Sequence, residues 1–431
     1  MSGSKLRILL CANACRPDMG SEPMVGWSAY QALRTQHDVR VICSASGQPS
    51  IQEAIREGKA EAKDFRFVPD RWRYCGLPSV DKLINWLNIL DFQCRLSRIG
   101  REEIARFRPD ITHQVTIATW RAGNPLAGDK IPFVWGPVGG GEHLPAAFFK
   151  TFSYYSVFFE RLRQVSGLYA EHSRSVLKTA RRADWIFAGN RQTASLLSHL
   201  RGHAGQIEIL PVVAFSSEKM AEFENQSWSK SPNNGTIQIF SGGYVEARKG
   251  MGLALKALAQ LRHEGFRFQY EHGGIGPERG HLCDQIQKLG LQDYVRFVNP
   301  YQTSAYRQKL RATDIFLFPS LRDNCPISLL EAMGYGCVPV VADHAGPGEM
   351  VTADSGLKIP ITDPRRFVQD LAAGLKTLFL DRERRQKLGE AARKRVLDDF
   401  SREKWLYQVE RAYRTVLAAA ESGSSPAKTF S

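Results

Sequence analysis

The second half of the chain places a strand-length apolar run, a polar loop and the start of a helix in direct succession. The run Ile315–Phe318 ends at Pro319, and a helix is expected to open around Pro326, because proline is favoured at the first helical position. The free N–H groups there carry about half a positive charge and suit a diphosphate. Glu331 lies about one turn further on, and its carboxylate could accept hydrogen bonds from two ribose hydroxyls. The alternative is that Glu331 is an ordinary surface residue of the helix.

A glycine-containing loop with two adjacent cations occurs earlier in the same half. The apolar run Ile237–Phe240 leads into the segment SGGYVEARKG at 241–250. Gly243 would let the backbone approach a ligand closely, and Arg248 and Lys249 would supply cations for phosphate. Taken alone, this loop could also be a solvated basic turn. Together the two stretches predict a site for a phosphorylated ligand.

Strand-length apolar runs alternate with helical stretches along the whole chain. Continuously apolar runs are typical of buried parallel strands, and their alternation with helices predicts an α/β protein with two sheets. The predicted strands are Leu6–Ala12, Val39–Cys43, Phe65–Val68, Ile111–Val115, Ile131–Trp135, Trp185–Ala188, Ile237–Phe240, Phe266–Tyr270, Val295–Val298, Ile315–Phe318 and Val338–Ala342.

The order of motifs in the second half resembles the donor domain of family 4 of the glycosyltransferases. The glycine loop with Arg248 and Lys249 is followed by HGGIGPE at 272–278, VRFVN at 295–299 and PSLRDNCPISLLEAMGYGCVPVVA at 319–342. The resemblance implies the GT-B fold, in which two Rossmann-like domains with parallel sheets face each other. Two weaker motifs of the first half, GSEP at 20–23 and WGPVGGGE at 135–142, are similar to a bacterial subgroup that assembles surface glycans.

The resemblance also implies an activity and a set of site residues. The expected reaction is retaining transfer of a hexose-type sugar from a nucleoside-diphosphate donor to a glycan or lipid-linked acceptor, in cell-surface polysaccharide assembly. By the resemblance, Lys249 would hold the diphosphate, Glu331 the ribose and Asp323 the sugar, while Arg248 is a second phosphate cation that the residues themselves suggest. The residues expected to bind the donor are Gly20, Gly243, Arg248, Lys249, Asn324, Ile327, Ser328, Leu329 and Glu331, and those expected to serve catalysis are His113, Asp323 and Lys249.

Two departures from the family pattern leave other functions open. Tyr244 stands where an arginine is usual, and Asp323 stands where a glutamate is usual, one methylene shorter. The alternatives are a relative that binds nucleotide sugars without turnover and a sugar-nucleotide epimerase with the same fold. A working transferase releases sugar from the donor, which distinguishes it from the first alternative. It also requires an acceptor, which distinguishes it from the second.

In the first half, Gly20 and His113 are candidates for the site, and Glu142 and His143 after a run of glycines are candidates for the acceptor side. Gly20 lies in a loop between the first strand and a helix, where backbone amides could approach the donor phosphate or the acceptor. His113 lies at the end of a strand, where a neutral imidazole could accept a hydrogen bond from a sugar hydroxyl or assist the acceptor. The alternative for His113 is a structural histidine with both nitrogens satisfied.

The expected domain boundaries follow from the positions of the apolar strand-length runs and from the family resemblance. We expect an N-terminal acceptor-side domain (1–210), a linker (211–236) and a C-terminal donor domain for the nucleotide sugar (237–400). A helix at 401–420 has an apolar stripe, which predicts that it returns to the N-terminal domain. The tail 421–431 is polar and is expected to be disordered.

The formal charge of +14 suggests an anionic partner. Nucleic acid is not expected because no binding motif occurs, and no metal or other cofactor is expected because Asp-x-Asp is absent. Apolar runs containing Cys11 and Cys43 indicate free thiols and a cytoplasmic protein. The aromatic residues at 148–159 precede a basic stretch that ends at Arg182, which predicts peripheral attachment to an anionic inner membrane face. The alternative is that these aromatic side chains fill the core of the first domain or the packing between the domains.

Overall fold

The computed structural model describes residues 5–76, 78–203, 205–226, 235–299 and 303–422. Contacts divide the chain into two compact units, each of them α/β. The first unit comprises Met1–Gly141, Gln164–Phe215 and Arg402–Ser431, and the second comprises Glu142–Arg163 and Ser216–Ser401.

The first unit is built on a seven-stranded parallel sheet. Its strands are β1 (Arg7–Cys11), β2 (Asp38–Ser44), β3 (Phe65–Val68), β4 (Ile111–Gln114), β5 (Phe133–Val138), β6 (Trp185–Ala188) and β7 (Gln206–Ile209), in the order β3-β2-β1-β4-β5-β6-β7. Its helices are α1 (Glu22–Leu33), α2 (Gln48–Arg56), α3 (Pro78–Phe107), the C-terminal part of α4 (Tyr154–Glu171), α5 (Arg174–Arg182) and α6 (Arg191–Arg201). Because β6 is buried along its whole length, it is continuously apolar rather than alternating.

The second unit is built on a six-stranded parallel sheet. Its strands are β8 (Ile237–Gly242), β9 (Phe268–Gly273), β10 (Val295–Val298), β11 (Ile315–Phe318), β12 (Val338–Ala342) and β13 (Leu357–Ile359), in the order β10-β9-β8-β11-β12-β13. Its helices after α4 are α7 (Ser217–Glu224), α8 (Met251–His263), α9 (Arg279–Lys288), α10 (Thr303–Arg311), α11 (Ile327–Gly334), α12 (Ala345–Met350), α13 (Pro364–Leu380) and α14 (Arg382–Asp399). The neighbouring strands β8 and β11 present their carboxyl ends at one edge of this sheet.

The predicted first domain, 1–210, is interrupted in the structure. Glu142–Arg163 groups with the second unit, where Phe148 and Phe149 are buried in the core and Phe148 lies edge-on to Phe367 at 5.9 Å between ring centroids. Apolar side chains dictate this grouping, since exposing two phenylalanines would cost several kcal/mol. The middle of the predicted linker, 227–234, and the tail from 423 lie outside the described residues.

The last helix, α15 (Arg402–Glu421), belongs to the first unit, which confirms its predicted return. Its buried residues Trp405, Val409, Ala412, Tyr413 and Val416 lie at helical spacing and join the same core as β1 and α1. Among the described helices, none combines the length and apolar character that crossing a bilayer requires.

Candidate functional site

Two loops of the second unit meet beyond the carboxyl ends of β8 and β11. The backbone N–H of Leu321 donates to the Arg248 carbonyl at 2.8 Å, and Ser328 Oγ donates to the Gly242 carbonyl at 3.3 Å. These contacts join the predicted glycine loop to the first turn of α11. Ligands bind outside the carboxyl ends of the strands in open α/β sheets, so this junction is the expected position for a site.

The centre of the junction is an ion cluster around Asp323. Lys249 Nζ lies 2.6 Å from Asp323 Oδ2, and an Arg248 guanidinium nitrogen lies 3.4 Å from Asp323 Oδ1. Ser320 Oγ donates to Asp323 Oδ2 at 2.8 Å, while Arg248 Nε donates to Glu246 at 2.8 Å. The structure therefore brings together three of the four charged residues that the sequence singled out for the donor, and both Asp323 oxygens already face cations.

The charges of this cluster hold one another in the ionised state. Burial by itself would raise the pKa of Asp323, but Lys249 and Arg248 outweigh it and lower the pKa to about 2. Burial lowers the pKa of Lys249, and Asp323 opposes that change. At neutral pH Asp323 is thus a carboxylate that positions two cations, and its contact with the sugar stays a prediction.

The cluster keeps donors for an incoming anion. A lysine ammonium has three hydrogens, and Asp323 takes one hydrogen of Lys249, whose side chain is 14% exposed. The N–H of Leu329 already donates to the Pro326 carbonyl at 3.1 Å. In the described part of the chain, the amides that remain for a ligand at the start of α11 are therefore those of Ile327 and Ser328.

Close backbone approaches shape the glycine loop. Gly243 has φ of +136°, which strongly favours glycine. A Cβ on Gly274 would lie 1.9 Å from the Gly243 carbonyl oxygen, so only glycine fits there. His272 Nε2 lies 3.0 Å from the same oxygen, and its Nδ1 lies 2.7 Å from Ser241 Oγ. The motif HGGIGPE thus braces the loop, a role for His272 that sequence reasoning missed.

The segment before α11 is held by a second close approach. A Cβ on Gly346 would lie 1.3 Å from the Asn324 carbonyl oxygen, and the Gly346 N–H donates to the Asp323 carbonyl at 3.1 Å. Gly346, in the segment AGPGEM at 345–350, therefore fixes the backbone of Asp323 and Asn324, which places both predicted residues at the site.

Glu331 lies one turn into α11, in a half-buried polar setting that the sequence did not predict. Its Oε1 lies 4.0 Å from Lys219 Nζ, and Lys219 also donates to the Tyr335 hydroxyl at 3.0 Å. Burial raises the pKa of Glu331, partly offset by Lys219 and Arg307. A carboxylate in this position can accept two hydroxyl hydrogens, and the nearby ammonium favours its charged form.

The two candidates of the first unit differ in their surroundings. Gly20 is exposed in the loop before α1, and a Cβ there would meet nothing within 4 Å. His113 is fully buried, with Nδ1 at 2.6 Å from the Tyr413 hydroxyl and Nε2 at 2.7 Å from the Gly136 carbonyl oxygen. Because a carbonyl only accepts, Nε2 carries the hydrogen and Nδ1 accepts from Tyr413. Both nitrogens are occupied, so we correct the catalytic assignment of His113 to a structural one.

The buried His113 predicts a pH dependence of stability. Burial lowers the pKa of His113 from 6.5 to about 4, so the unfolded chain binds this proton more readily and the stability contributed by the neutral ring is lost as the pH falls from 6.5 towards 4. At pH 5 the loss is about 2 kcal/mol. Urea unfolding of wild type and His113→Gln at pH 7 and pH 5 should show the larger drop in wild type. Equal drops would contradict the neutral, buried histidine.

Comparison with protein families agrees with the geometry of the second unit. Residues 222–395 match the model of the glycosyl transferases group 1, so this part of the chain is similar to a domain of that type. WcaL of Escherichia coli K12, named as a putative colanic acid biosynthesis glycosyltransferase, is 33% identical over 175 residues, which cover 39% of this chain and 42% of WcaL. AmsK of Erwinia amylovora, an amylovoran biosynthesis glycosyltransferase, is 31% identical over 27% of this chain and 30% of AmsK. The chain thus spans less than half the length of these relatives.

Solved structures resemble the chain over nearly its whole length. Sucrose-phosphate synthase from Thermosynechococcus elongatus has a TM-score of 0.64 at 15% identity, covering 96% of this chain and 100% of the other. HepE of Anabaena, solved with UDP and glucose, has a TM-score of 0.61 at 14% identity, covering 95% of this chain and 100% of the HepE chain. At such low identity the likeness shows the fold, and it confirms the GT-B fold predicted from the sequence.

Proposed function

We propose that this chain is a retaining glycosyltransferase that transfers a hexose-type sugar from a nucleoside-diphosphate donor to a glycan or lipid-linked acceptor. The observation that carries the proposal is the pairing of Lys249 and Arg248 with Asp323 beside the start of α11. Two cations and the first amides of the helix converge where a diphosphate leaving group would develop charge. Electrostatic stabilisation of that kind commonly contributes more to catalysis than any other single effect.

Each part of the site has a role in this reaction. As the bond from the anomeric carbon to phosphate breaks, the Lys249 ammonium and the amides of Ile327 and Ser328 take up the negative charge on the phosphate. Glu331 holds the ribose through its hydroxyls. Asp323 keeps Lys249 and Arg248 in place, so the cations need not reorganise during the reaction. The acceptor oxygen attacks from the face that the phosphate leaves, which retains the anomeric configuration, and its proton passes to an oxygen of the departing phosphate.

The relatives support the choice of donor and acceptor classes. WcaL and AmsK are named for the biosynthesis of colanic acid and amylovoran, and these names favour surface-polysaccharide assembly for this chain. HepE was solved with UDP and glucose, so UDP-sugars are the first donors to test. GDP-, ADP- and TDP-sugars complete the panel.

Turnover of the preferred donor is expected to need no divalent metal. The site supplies its own cations, Arg248 and Lys249, for the charge that a metal would otherwise neutralise. The chain is treated with a chelator, incubated with each nucleotide sugar, and assayed for released nucleoside diphosphate. The expected result is release at most of the untreated rate. Turnover that returns only with magnesium or manganese would contradict metal independence, and no turnover under either condition would contradict the function itself.

The helix α4 has an exposed apolar stripe that supports a membrane-facing role. Tyr154 is 98% exposed, Phe158 63% and Tyr169 80%, and Leu162 and Val165 continue the same face. Basic residues of α5 follow directly, which suits an anionic lipid surface. Not all of the predicted docking segment takes part, because Phe148 and Phe149 are core residues and Arg161 lies over the Phe149 ring at 5.0 Å. Those two residues are core residues of the second unit, not of the predicted first domain.

Removal of the stripe should weaken membrane binding. The double variant Tyr154→Ser/Phe158→Ser is expected to sediment at least about tenfold less strongly with phosphatidylglycerol-containing vesicles, because two aromatic side chains no longer leave water on binding. Tyr407→Ser on α15 is the matched control, since Tyr407 is 69% exposed. Binding that is unchanged in the double variant, or equal on phosphatidylcholine vesicles, would contradict the proposed attachment.

A further inference from the structure

The first unit contains a basic pocket that is separate from the ion cluster around Asp323. Its volume is about 490 Å³, and α5, the last turn of α6 and the turn after α6 line it. The basic side chains in its wall are Arg174, Lys178, Arg181, Arg182, Arg201 and His203. The four cations of α5 share one helical face, while the opposite face packs Val176 and Ala180 into the core. The packing of α5 therefore gathers these charges in one place.

Arg201 is the unusual member of this wall. Its side chain is buried, with 1% of the residue exposed, and all three guanidinium nitrogens lack a hydrogen-bond partner among the described residues. A buried guanidinium without an acceptor is costly, because each desolvated N–H loses its bond to water. Burial lowers the pKa of Arg201, and the charge of Asp184 opposes this. Asp184 itself accepts from the Phe133 N–H at 2.9 Å and does not bond the guanidinium.

The surrounding backbone packs tightly against this guanidinium. A Cβ on Gly205 would lie 2.3 Å from Arg201 Nε, so glycine leaves the space that the guanidinium occupies. The adjoining His203 is tied to α5 through Nε2, 3.1 Å from the Arg181 carbonyl oxygen. The pocket is thus a cavity with a buried cationic floor and a rim of basic side chains.

The position of the pocket separates it from the candidate sugar-nucleotide site. Arg181 and Arg182 end α5 just before β6, and Arg201 ends α6 just before β7, so these cations lie at the amino ends of the strands. The loop with Gly20 follows the carboxyl end of β1, at the opposite edge of the same parallel sheet. Lys249 and Arg248 belong to the second unit. A ligand of this pocket is therefore an additional ligand, beyond the proposed transfer reaction.

We propose that this pocket binds a phosphate group, with the Arg201 guanidinium as the buried donor and the α5 cations as its rim. A guanidinium presents its N–H groups in a planar fork that matches phosphate oxygens. Phosphate would satisfy the unpaired nitrogens and neutralise charges that otherwise repel one another. The phosphate belongs either to a soluble ligand or to a lipid headgroup, since both present the same oxygens.

The test uses inorganic pyrophosphate as the probe, by titration calorimetry at constant ionic strength. Arg201→Gln is expected to weaken pyrophosphate binding to the first unit about ten- to hundredfold, because charge-assisted hydrogen bonds are lost. Lys178→Gln/Arg181→Gln removes two rim charges and tests the pocket should Arg201→Gln fold poorly. The control is Arg98→Gln on α3, where the side chain is 79% exposed. It removes one charge away from the pocket and should leave pyrophosphate binding unchanged.

Lys249→Ala distinguishes this pocket from the sugar-nucleotide site. The pocket's pyrophosphate binding should persist in Lys249→Ala and fall in Arg201→Gln, whether or not the chain proves to be a transferase. Binding that falls only in Lys249→Ala, or that persists in both pocket variants, would overturn the proposal. Vesicles of phosphatidylcholine with and without phosphatidic acid then identify the source of the phosphate. If Arg201→Gln sediments less with the acidic vesicles than wild type does, the phosphate belongs to a lipid headgroup. If its sedimentation is unchanged although pyrophosphate binding is lost, the phosphate belongs to a soluble ligand.

Discussion

Replacing Lys249 by alanine should weaken the binding of the matching nucleoside diphosphate about ten- to hundredfold and leave the affinity for the free nucleoside nearly unchanged. A charge-assisted hydrogen bond contributes roughly 1.5–3 kcal/mol, and only the diphosphate makes this one. The effect should lie in the upper part of the range. Without Lys249, the Asp323 carboxylate loses the ammonium 2.6 Å away and repels the incoming phosphate.

The control for this variant is Lys256→Ala. Lys256 is exposed on α8, the helix that follows the glycine loop, and its removal changes the net charge by the same amount. Calorimetric titrations of nucleoside and nucleoside diphosphate should separate the two variants clearly. Undiminished diphosphate affinity in Lys249→Ala would show that phosphate binds elsewhere.

Replacing Glu331 by glutamine should weaken the binding of nucleoside and of nucleoside diphosphate by the same factor, about ten- to hundredfold. Glutamine preserves the shape of the side chain but removes the charge that strengthens the bonds from the ribose hydroxyls. Because the ribose is common to both ligands, the ratio of the two affinities should stay constant. This distinguishes a ribose contact from a phosphate contact.

The matched control is Glu383→Gln on α14. The Glu383 carboxylate is 77% exposed, and within the described part of the chain its ion-pair partner is Lys387 on the surface. It should leave both affinities unchanged. A selective loss of diphosphate binding in Glu331→Gln would contradict the ribose assignment and would move Glu331 to the phosphate end of the donor.

The sequence predicts the buried strands better than the strands at the sheet edges. All eleven predicted runs overlap strands of the structure. Nine of these strands lie inside their sheets, where strands covered on both faces must be apolar throughout, and the other two, β3 and β10, are edge strands. The two strands without a predicted counterpart, β7 and β13, lie at the edges of their sheets. In β7, Glu208 stands between two isoleucines, and the residues of the strand are half-buried or exposed, so the continuous apolar signal is missing.

At the site, the residue types were predictable, but their contacts were not. The spacing and the family resemblance single out Lys249, Asp323 and Glu331, and the structure places all three around the start of α11. The pairing of Lys249 with Asp323 depends on two loops separated by 74 residues, which no local pattern encodes. For the same reason His113 could not be assigned from its strand, because its partner Tyr413 is 300 residues away.

The grouping of Glu142–Arg163 with the second unit shows a similar limit. The segment interrupts the first unit in sequence, and its buried Phe148 contacts Phe367 of α13, far along the chain. Aromatic residues beside basic ones are typical both of interfacial helices and of core segments. Only the tertiary structure separates Phe148, which is buried, from Phe158, which is exposed.

The most direct test of the central claim, that the Lys249–Asp323 junction is the donor site of a working transferase, is sugar release from the preferred nucleotide sugar. Proton NMR would follow the donor and the anomeric form of the released or transferred sugar in wild type and in Lys249→Ala. We expect release with retained configuration, and a rate about 10²- to 10³-fold lower in the variant, as found when one donor to a developing anion is removed. Tight binding of the nucleotide sugar by the wild type without any release would contradict the claim and identify a binding protein.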